Sequence, residues 1–227
     1  TGANGGKPRP IYLLNRGSVL TPGNEVMPGA VQAISWLPGR FENTVHSPEG
    51  ERRADLAKWL ADERNPLTWR SIVNRVWLYH FGKGLAETPN DFGHMGAEPT
   101  NPELIDWLAV EFRDGGQSLK QLHKLIMTSA TYKQVSDSDR PTAQQIDADN
   151  RYLWHMNRRK LDAESIRDSV LLVSGKLNLK MGGPAFQDFV IEKPEHSPHY
   201  QYQLHDPEDP KSHRRSIYRF IVRSQMQ

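Results

Sequence analysis

Cysteine is absent from this 227-residue sequence. Disulfide bonds, thiolate zinc sites, iron–sulfur clusters and a covalently attached c-type haem, which needs a Cys-x-x-Cys-His motif, are therefore excluded within the chain. The absence does not indicate a redox compartment, because a protein without cysteine folds in oxidising and in reducing surroundings. The sequence leaves any other cofactor unknown.

Long apolar runs and concentrated positive charge are missing as well. The strongest apolar run, "SVLLVSG" at residues 169–175, is far shorter than the roughly 20 residues that cross a bilayer as a helix. The formal net charge is +2, and Lys and Arg alternate with Asp and Glu along most of the chain. Because a nucleic-acid surface needs a basic patch, we expect neither a membrane span nor nucleic-acid binding.

The common catalytic signatures are also missing. The sequence has no G-x-S-x-G elbow, no Walker loop, no dinucleotide-binding fingerprint and no H-E-x-x-H motif. A "DFG" occurs at Asp91, Phe92 and Gly93, but a kinase would also need a Gly-rich nucleotide loop, a strand lysine and an H-R-D loop. The three residues alone therefore do not predict a kinase.

Helical patterns follow one another after residue 50. Residues 1–50 are rich in Gly and Pro, which predicts an extended N-terminal arm. From Glu51 onward, five segments have apolar residues at helical spacing. We predict a mainly α fold, an irregular multi-helix domain with long loops over residues 51–227, and a small peripheral β pairing of the two ends near Ile11 and Ile217.

The second of these segments has the clearest pattern. Its apolar side chains recur at the spacing of one helical face, and it ends at Gly82, a residue type that favours the left-handed conformation after a helix. The stripe consists of Trp69, Ile72, Val73, Val76, Trp77 and His80.

Capping residues mark the starts of the later helices. Asn101 followed by Pro102, and then Ser118 and Asp162, are residue types that favour helix N-termini. The spacing also predicts which side chains face the core. These inward residues are Leu56, Ala57, Leu60 and Ala61 in the first helix, Leu104, Ile105, Leu108 and Phe112 in the third, Leu122, Leu125, Ile126 and Ser129 in the fourth, and Ile166, Val170, Val173 and Leu177 in the fifth.

A candidate site lies around the end of the second helix. His80, Asp91 and His94 form a nitrogen–oxygen–nitrogen set that would suit zinc or iron if the loop folded back over the helix end. For catalysis the candidates are Arg75, His80 and Asp91, with Arg75 stabilising developing negative charge. In the structural alternative, which the spacing favours, His80 is a core residue, Asp91 caps a turn and Arg75 pairs with a carboxylate or loop carbonyls.

A second cluster of ligand-type residues lies late in the chain, in a loop with several prolines. It comprises His196, His199, His205 and His213 with Asp206, Glu208 and Asp209. The irregular spacing favours a solvated surface segment. A further hypothesis is that one of these histidines serves as axial ligand to the haem of a neighbouring domain.

Several segments, taken in order, resemble one known family. They are "RRADLAKWLADERNPLTWRSIVNRVWLYHFGKGLAETPNDFGHMG", "NPELIDWLAVEF", "SLKQLHKLIMTSATYKQ", "NRRKLDAESIRDSVLLVSGKL", "MGGP" and "RRSIYRF". Together they resemble the uncharacterised DUF1553 (PSD1) domain, from about Glu51 to the end of the chain. The residues that we interpret as its structural signature are Asn74, Arg75, Trp77, Phe81, Gly82, Gly84, Asp91, Phe92, Gly93, Pro102, Glu103, Arg159, Arg167 and Asp168.

The resemblance implies a context more than an activity. DUF1553 domains occur in large secreted proteins of planctomycetes and related bacteria, often with DUF1549 and cytochrome-c-like domains, or beside genes linked to polysaccharide utilisation. We therefore expect an extracytoplasmic (periplasmic or secreted) module that docks domains or partners, with DUF1549-like domains, cytochrome-c-like domains and carbohydrate as partners. The alternative is a metal-assisted hydrolase or redox enzyme acting on polysaccharide-derived substrates.

The chain departs from the family pattern in two places. Relatives introduce the third helix with Ser-His-Pro-Glu, whereas Thr100 and Asn101 precede Pro102 here. A histidine ligand or base would thus be lost, while the N-cap is kept because asparagine caps well. Relatives also continue beyond "RRSIYRF", so we expect the domain to be truncated at its C-terminus.

Overall fold

The computed structural model describes residues 9–193 and 197–223. The chain forms two compact units, residues 1–158 and residues 159–227. The boundary between the units lies inside the stretch 51–227 that the sequence pattern presents as one helical domain.

The first unit contains most of the helices, as the mainly α prediction requires. An antiparallel pair of short strands, β1 (Tyr12–Leu14) and β2 (Pro22–Glu25), precedes them. The helices are α1 (Glu49–Ala61), α2 (Pro66–Phe81), α3 (Pro102–Asp114), α4 (Leu119–Thr128) and α5 (Pro141–Ile146), the last of which the periodicity does not predict. Among the described residues, no helix is both long and apolar enough to cross a membrane.

Local chemistry fixes both ends of α2. The Asn65 side chain accepts a hydrogen bond from the Leu67 amide at 3.1 Å, and Pro66 occupies the first turn, where no amide donor is needed. The helix stops at Gly82, whose φ of 85° is the left-handed conformation that glycine adopts without strain. The predicted stripe is confirmed, because Trp69, Val73, Val76 and Trp77 are buried and Ile72 packs against them.

α2, α3 and α4 together form the main core of the first unit. The predicted caps of α3 and α4 are confirmed, since the Asn101 and Ser118 side chains accept hydrogen bonds from the Leu104 and Gln121 amides. Burial of each large apolar side chain contributes about 1.5–3 kcal/mol. The buried members are Trp69, Val73, Val76, Trp77, Phe81, Leu85, Ile105, Leu108, Ala109, Phe112, Leu122 and Ile126.

The predicted inward face of α1 is wrong. Leu56 and Leu60 are exposed, and Trp59 is the buried residue of this helix. Trp59 packs against Ile34 and Leu37 of the N-terminal arm in a small cluster of its own. A single bulky aromatic, matched to the arm, therefore decides the orientation of α1 in place of the two leucines.

The second unit is built around α6 (Ala163–Val173) and irregular segments. The Asp162 side chain caps α6 by accepting a hydrogen bond from the Ser165 amide at 2.6 Å. Hydrogen bonds from the Ser165 side chain and, to a smaller extent, from its amide lower the pKa of Asp162 below its ordinary value. The predicted inward face of α6 is wrong, because no residue of α6 is buried. Among the described residues of this unit, the buried apolar side chains are Phe186, Phe189 and Val222, which belong to other segments.

Small β pairings are present, but their partners differ from those expected. β1 pairs with β2 in the first unit. In the second unit, β3 (Val190–Glu192) pairs antiparallel with β4 (His199–Gln201). Ile217 lies in a 3-10 turn, Ser216–Tyr218, and both pairings join strands that are close in sequence.

Candidate functional site

The signature residues at the end of α2 hold a loop in place. The buried Asn74 side chain donates a hydrogen bond to the Ala86 carbonyl and accepts one from the Ala86 amide, both at 2.9 Å. Gly84 passes so close to Asn74 that a Cβ there would come within 2.8 Å of the carboxamide. Phe81 is fully buried and stacks on Trp77, with ring centroids 4.2 Å apart. This half of the signature therefore serves the fold.

Asp91 has the turn role of the structural alternative, whereas Arg75 pairs with a side-chain amide in place of a carboxylate or loop carbonyls. Arg75 is exposed and donates to the side-chain oxygen of Asn90. One Asp91 carboxylate oxygen accepts from the Gly93 amide at 2.8 Å, which closes a tight turn. Phe92 packs against the main core, and His94 is exposed in the same loop.

His80 contacts another histidine. Its Nε2 lies 2.7 Å from Nδ1 of His123 on α4, and the rings meet edge to face. Tyr132 packs edge-on against His80 from a third segment. No three His, Asp or Glu side chains of the described residues are grouped to hold a metal ion. The structure thus does not bring His80, Asp91 and His94 together. The sequence does not predict the contact between His80 and His123, because 43 positions separate them.

The signature residues at the start of α3 also serve the fold. Pro102 occupies the first turn of the helix, where a missing amide donor has no cost. Glu103 lies in the same turn, where a negative charge is stabilised by the helix dipole.

Arg167 and Asp168 connect α6 to the segment that contains Ser212 and Ser216. Nη1 of Arg167 donates to the Arg214 carbonyl at 3.0 Å and to Ser216 Oγ at 3.2 Å, and Nη2 donates to the Ser212 carbonyl. The Asp168 carboxylate accepts from the Ser216 amide at 2.8 Å and from its hydroxyl at 2.7 Å. These two side chains position a chain segment that has little regular structure of its own.

Arg159, the other signature residue of this unit, precedes the α6 cap, and its charge helps to lower the pKa of Asp162.

A cavity of about 370 Å³ lies beside this segment in the second unit. Two histidines of the late loop, His205 and His213, line it, whereas His199 lies in β4 and His196 falls outside the described residues. The full lining is Arg167, Val170, Leu171, Asp188, His205, Pro207, Ser212, His213 and Arg219.

An ion pair forms one wall of the cavity. Arg219 Nε donates to Asp188 Oδ2 at 2.6 Å, and both side chains are mostly buried. The sequence pattern does not predict this pair, since 31 positions separate the two residues. A signal was present in "FQDFV", where Asp188 lies between Phe186 and Phe189, both of which are buried. A carboxylate between two core aromatics must have a partner.

A family model matches residues 52–227 of the chain, and its description is PSD1, "Protein of unknown function (DUF1553)". The match covers the stretch in which the sequence resembles that family. Comparison with the curated proteins and with the solved structures finds no match.

Proposed function

The chain belongs to the PSD1 (DUF1553) family, and from this premise we propose that it is a docking module of a larger secreted protein. The observation that carries the proposal is the apolar stripe of α6, formed by Ile166, Val170 and Val173. These side chains are 51%, 63% and 89% exposed, although their spacing places them on one side of the helix. An apolar helix face without a cover is typical of a surface that binds another protein.

The partner that we propose is a DUF1549-like domain of the same or a neighbouring chain. Support comes from the family context, in which such domains accompany DUF1553. In the same proposal the protein is extracytoplasmic and belongs to the planctomycete-type secreted proteins. It acts together with cytochrome-c-like domains or in polysaccharide utilisation.

The test is a binding titration with a purified DUF1549-like domain from the same protein. We expect Ile166→Asp combined with Val173→Asp to weaken binding at least tenfold, because the introduced carboxylates would be desolvated in the interface. Leu172→Asp is the matched control: Leu172 is 61% exposed on the same helix but lies on another side of it. No binding by the unmodified chain, or equal losses in both variants, would refute the proposal. A cytochrome-c-like domain is the second probe.

One observation favours a second candidate function, a metal-assisted hydrolase or redox enzyme acting on polysaccharide-derived substrates. His80 and His123 present two imidazole nitrogens to each other at 2.7 Å. Two ligands of one tetrahedral zinc ion lie about 3.3 Å apart, given Zn–N bonds of roughly 2.0–2.1 Å. In this proposal the two rings separate, lose their mutual hydrogen bond and turn both lone pairs toward one metal ion, and Asp91 and His94 join it if their loop closes.

Elemental analysis of protein purified without chelator tests this candidate. It requires zinc or iron at about one equivalent, lost on His80→Ala and on His123→Ala and retained on His46→Ala. His94→Ala shows separately whether the loop contributes a ligand. Metal-free protein that also fails to take up zinc in a titration would eliminate the candidate without bearing on docking.

A further inference from the structure

Neither function proposed above assigns a ligand to the cavity beside Asp188. Its volume of about 370 Å³ lies within the range of small-molecule sites. All of its lining residues belong to the second unit. Its polar side chains come from α6, from the segment between Phe186 and Phe189, from the late loop and from Arg219. The chemistry of this lining indicates what the cavity can hold.

The lining contains two guanidinium groups and one carboxylate. Arg167 and Arg219 face it against a single carboxylate, Asp188, which is already paired with Arg219. Asp168 contacts the Arg167 guanidinium only at 3.4 Å. Among the residues that the structure describes, Nε of Arg167 has no hydrogen-bond partner, and neither does the half-buried side chain of His205. Donors without an acceptor around a cavity favour an anionic oxygen ligand.

A hydrogen-bond acceptor lies in the same lining. His213 is 9% exposed, and its Nε2 lies 3.1 Å from the Pro207 carbonyl. Because a carbonyl oxygen only accepts, Nε2 must carry the proton, and in the neutral ring Nδ1 is left as an acceptor. An acceptor in a cavity lining pairs with a donor, and a ligand hydroxyl supplies one to His213 Nδ1.

The rest of the lining is apolar. Val170, Leu171 and Pro207 form a wall without hydrogen-bonding side chains. A wall of this kind contacts the carbon skeleton of a ligand whose polar groups face the arginines and histidines.

We propose that this cavity binds a small hydroxycarboxylate, a molecule of the sugar-acid class. The carboxylate interacts with Arg167 and His205, and a hydroxyl group donates to His213 Nδ1. The carbon skeleton lies against Val170 and Leu171. The cavity shares Val170 with the docking stripe, whereas Ile166 and Val173, the two positions changed in the docking test, do not line it.

The experiment is a calorimetric titration of the full chain with three probes that separate the two polar groups. Glucuronate carries a carboxylate and hydroxyls, glucose carries hydroxyls alone, and acetate carries a carboxylate alone. We expect saturable binding of glucuronate, and binding at least about tenfold weaker for glucose and for acetate, since each lacks one class of contact.

Two histidine variants complete the test. His205→Ala is expected to weaken glucuronate binding about tenfold or more, because it removes a donor to the carboxylate. His199→Ala is the matched control, since His199 is exposed in β4 and does not line the cavity. Absence of saturable glucuronate binding by the folded chain would overturn the proposal. So would equal affinity for glucose, or a His205→Ala variant that binds as tightly as the unmodified chain.

Discussion

Asn74 pairs with the backbone of Ala86 through both of its side-chain functions. Its Nδ2 donates to the Ala86 carbonyl and its Oδ1 accepts from the Ala86 amide, at 2.9 Å in each case. Both residues are fully buried. The carboxamide thus satisfies both backbone hydrogen-bonding groups of a buried residue, as a paired strand would in a sheet. The loop after α2 therefore owes its path to one side chain of the helix.

Asn74→Ala should strongly destabilise the first unit. The substitution leaves a buried amide and a buried carbonyl without partners, at about 1–3 kcal/mol each, so we expect a loss of roughly 2–5 kcal/mol in the free energy of unfolding. All six tryptophans lie in this unit, so tryptophan fluorescence during denaturant unfolding reports on it alone. Asn90→Ala is the control, since Asn90 is exposed. Equal stability of the two variants would contradict the role of Asn74.

Gly84→Ala should be destabilising for a steric reason. A Cβ at this position would lie 2.5 Å from the Ala86 carbonyl oxygen and 2.8 Å from the Asn74 carboxamide, which is itself held in place. Gly50→Ala is the contrasting change, because Gly50 lies in α1 and a Cβ added there would have no other atom within 4 Å. There we expect stability to rise by up to about 1 kcal/mol, because alanine favours the helix. If Gly84→Ala unfolded at the same denaturant concentration as the unmodified chain, the close approach would not be rigid.

Asp168→Ala should free the segment around Ser216. The carboxylate accepts from both the amide and the hydroxyl of Ser216, and Ser216 is 4% exposed. Hydrogen exchange of the Ser216 amide measures the effect directly, and we expect it to accelerate at least tenfold. Asp137→Ala is the control, because the Asp137 side chain is 91% exposed in its ion pair with Arg158. Unchanged exchange at Ser216 in Asp168→Ala would show that other contacts hold the segment.

The elements that the sequence predicts correctly are those that neighbouring residues decide. The caps at Asn101, Ser118 and Asp162 and the stop at Gly82 depend on side chains within three positions of the helix end. The stripe of α2 is predictable because α3 and α4 bury it in one shared core, so its apolar side chains all face the same way. Local chemistry and periodicity are sufficient for such features.

The features that the sequence predicts wrongly, or does not predict, depend on distant partners. Periodicity places Leu60 of α1 inward. In the structure Trp59 is the residue that α1 buries, because it packs against Ile34 of the N-terminal arm. Periodicity also cannot show that the apolar face of α6 is exposed to solvent. The Asp188 and Arg219 pair joins positions 31 residues apart, and the contact between His80 on α2 and His123 on α4 joins positions 43 residues apart. Periodicity within one segment does not show which residue of a distant segment it contacts. Only the folded chain reveals these pairs, and both candidate sites rest on them.

The carboxylate of Asp62, between α1 and α2, should remain ionised at unusually low pH. Two side-chain nitrogens of Arg64, Nε at 2.9 Å and Nη2 at 2.8 Å, together with the Arg64 amide, lower the pKa of Asp62 from 3.8 to about 2. A carboxyl group whose pKa is lower in the folded state stabilises the fold above its unfolded pKa, and this contribution disappears as the pH falls through the folded value. The window therefore runs from about pH 4 down to about pH 2.

NMR titration of the Asp62 carboxyl carbon measures this value. We expect ionisation to persist at pH 3 in the unmodified chain and the pKa to move toward 3.8 in Arg64→Gln, with a flatter dependence of stability on pH between 4 and 2. Arg53→Gln is the control, because Arg53 and Glu49 form an exposed pair at 3.7 Å that does not involve Asp62. Half-protonation of Asp62 above pH 3.5 in the unmodified chain would mean that the Arg64 fork is not formed in solution. In that case the link between α1 and α2 would depend on Asn65 and on the indole of Trp69, which donates to the Asp62 carbonyl at 3.3 Å.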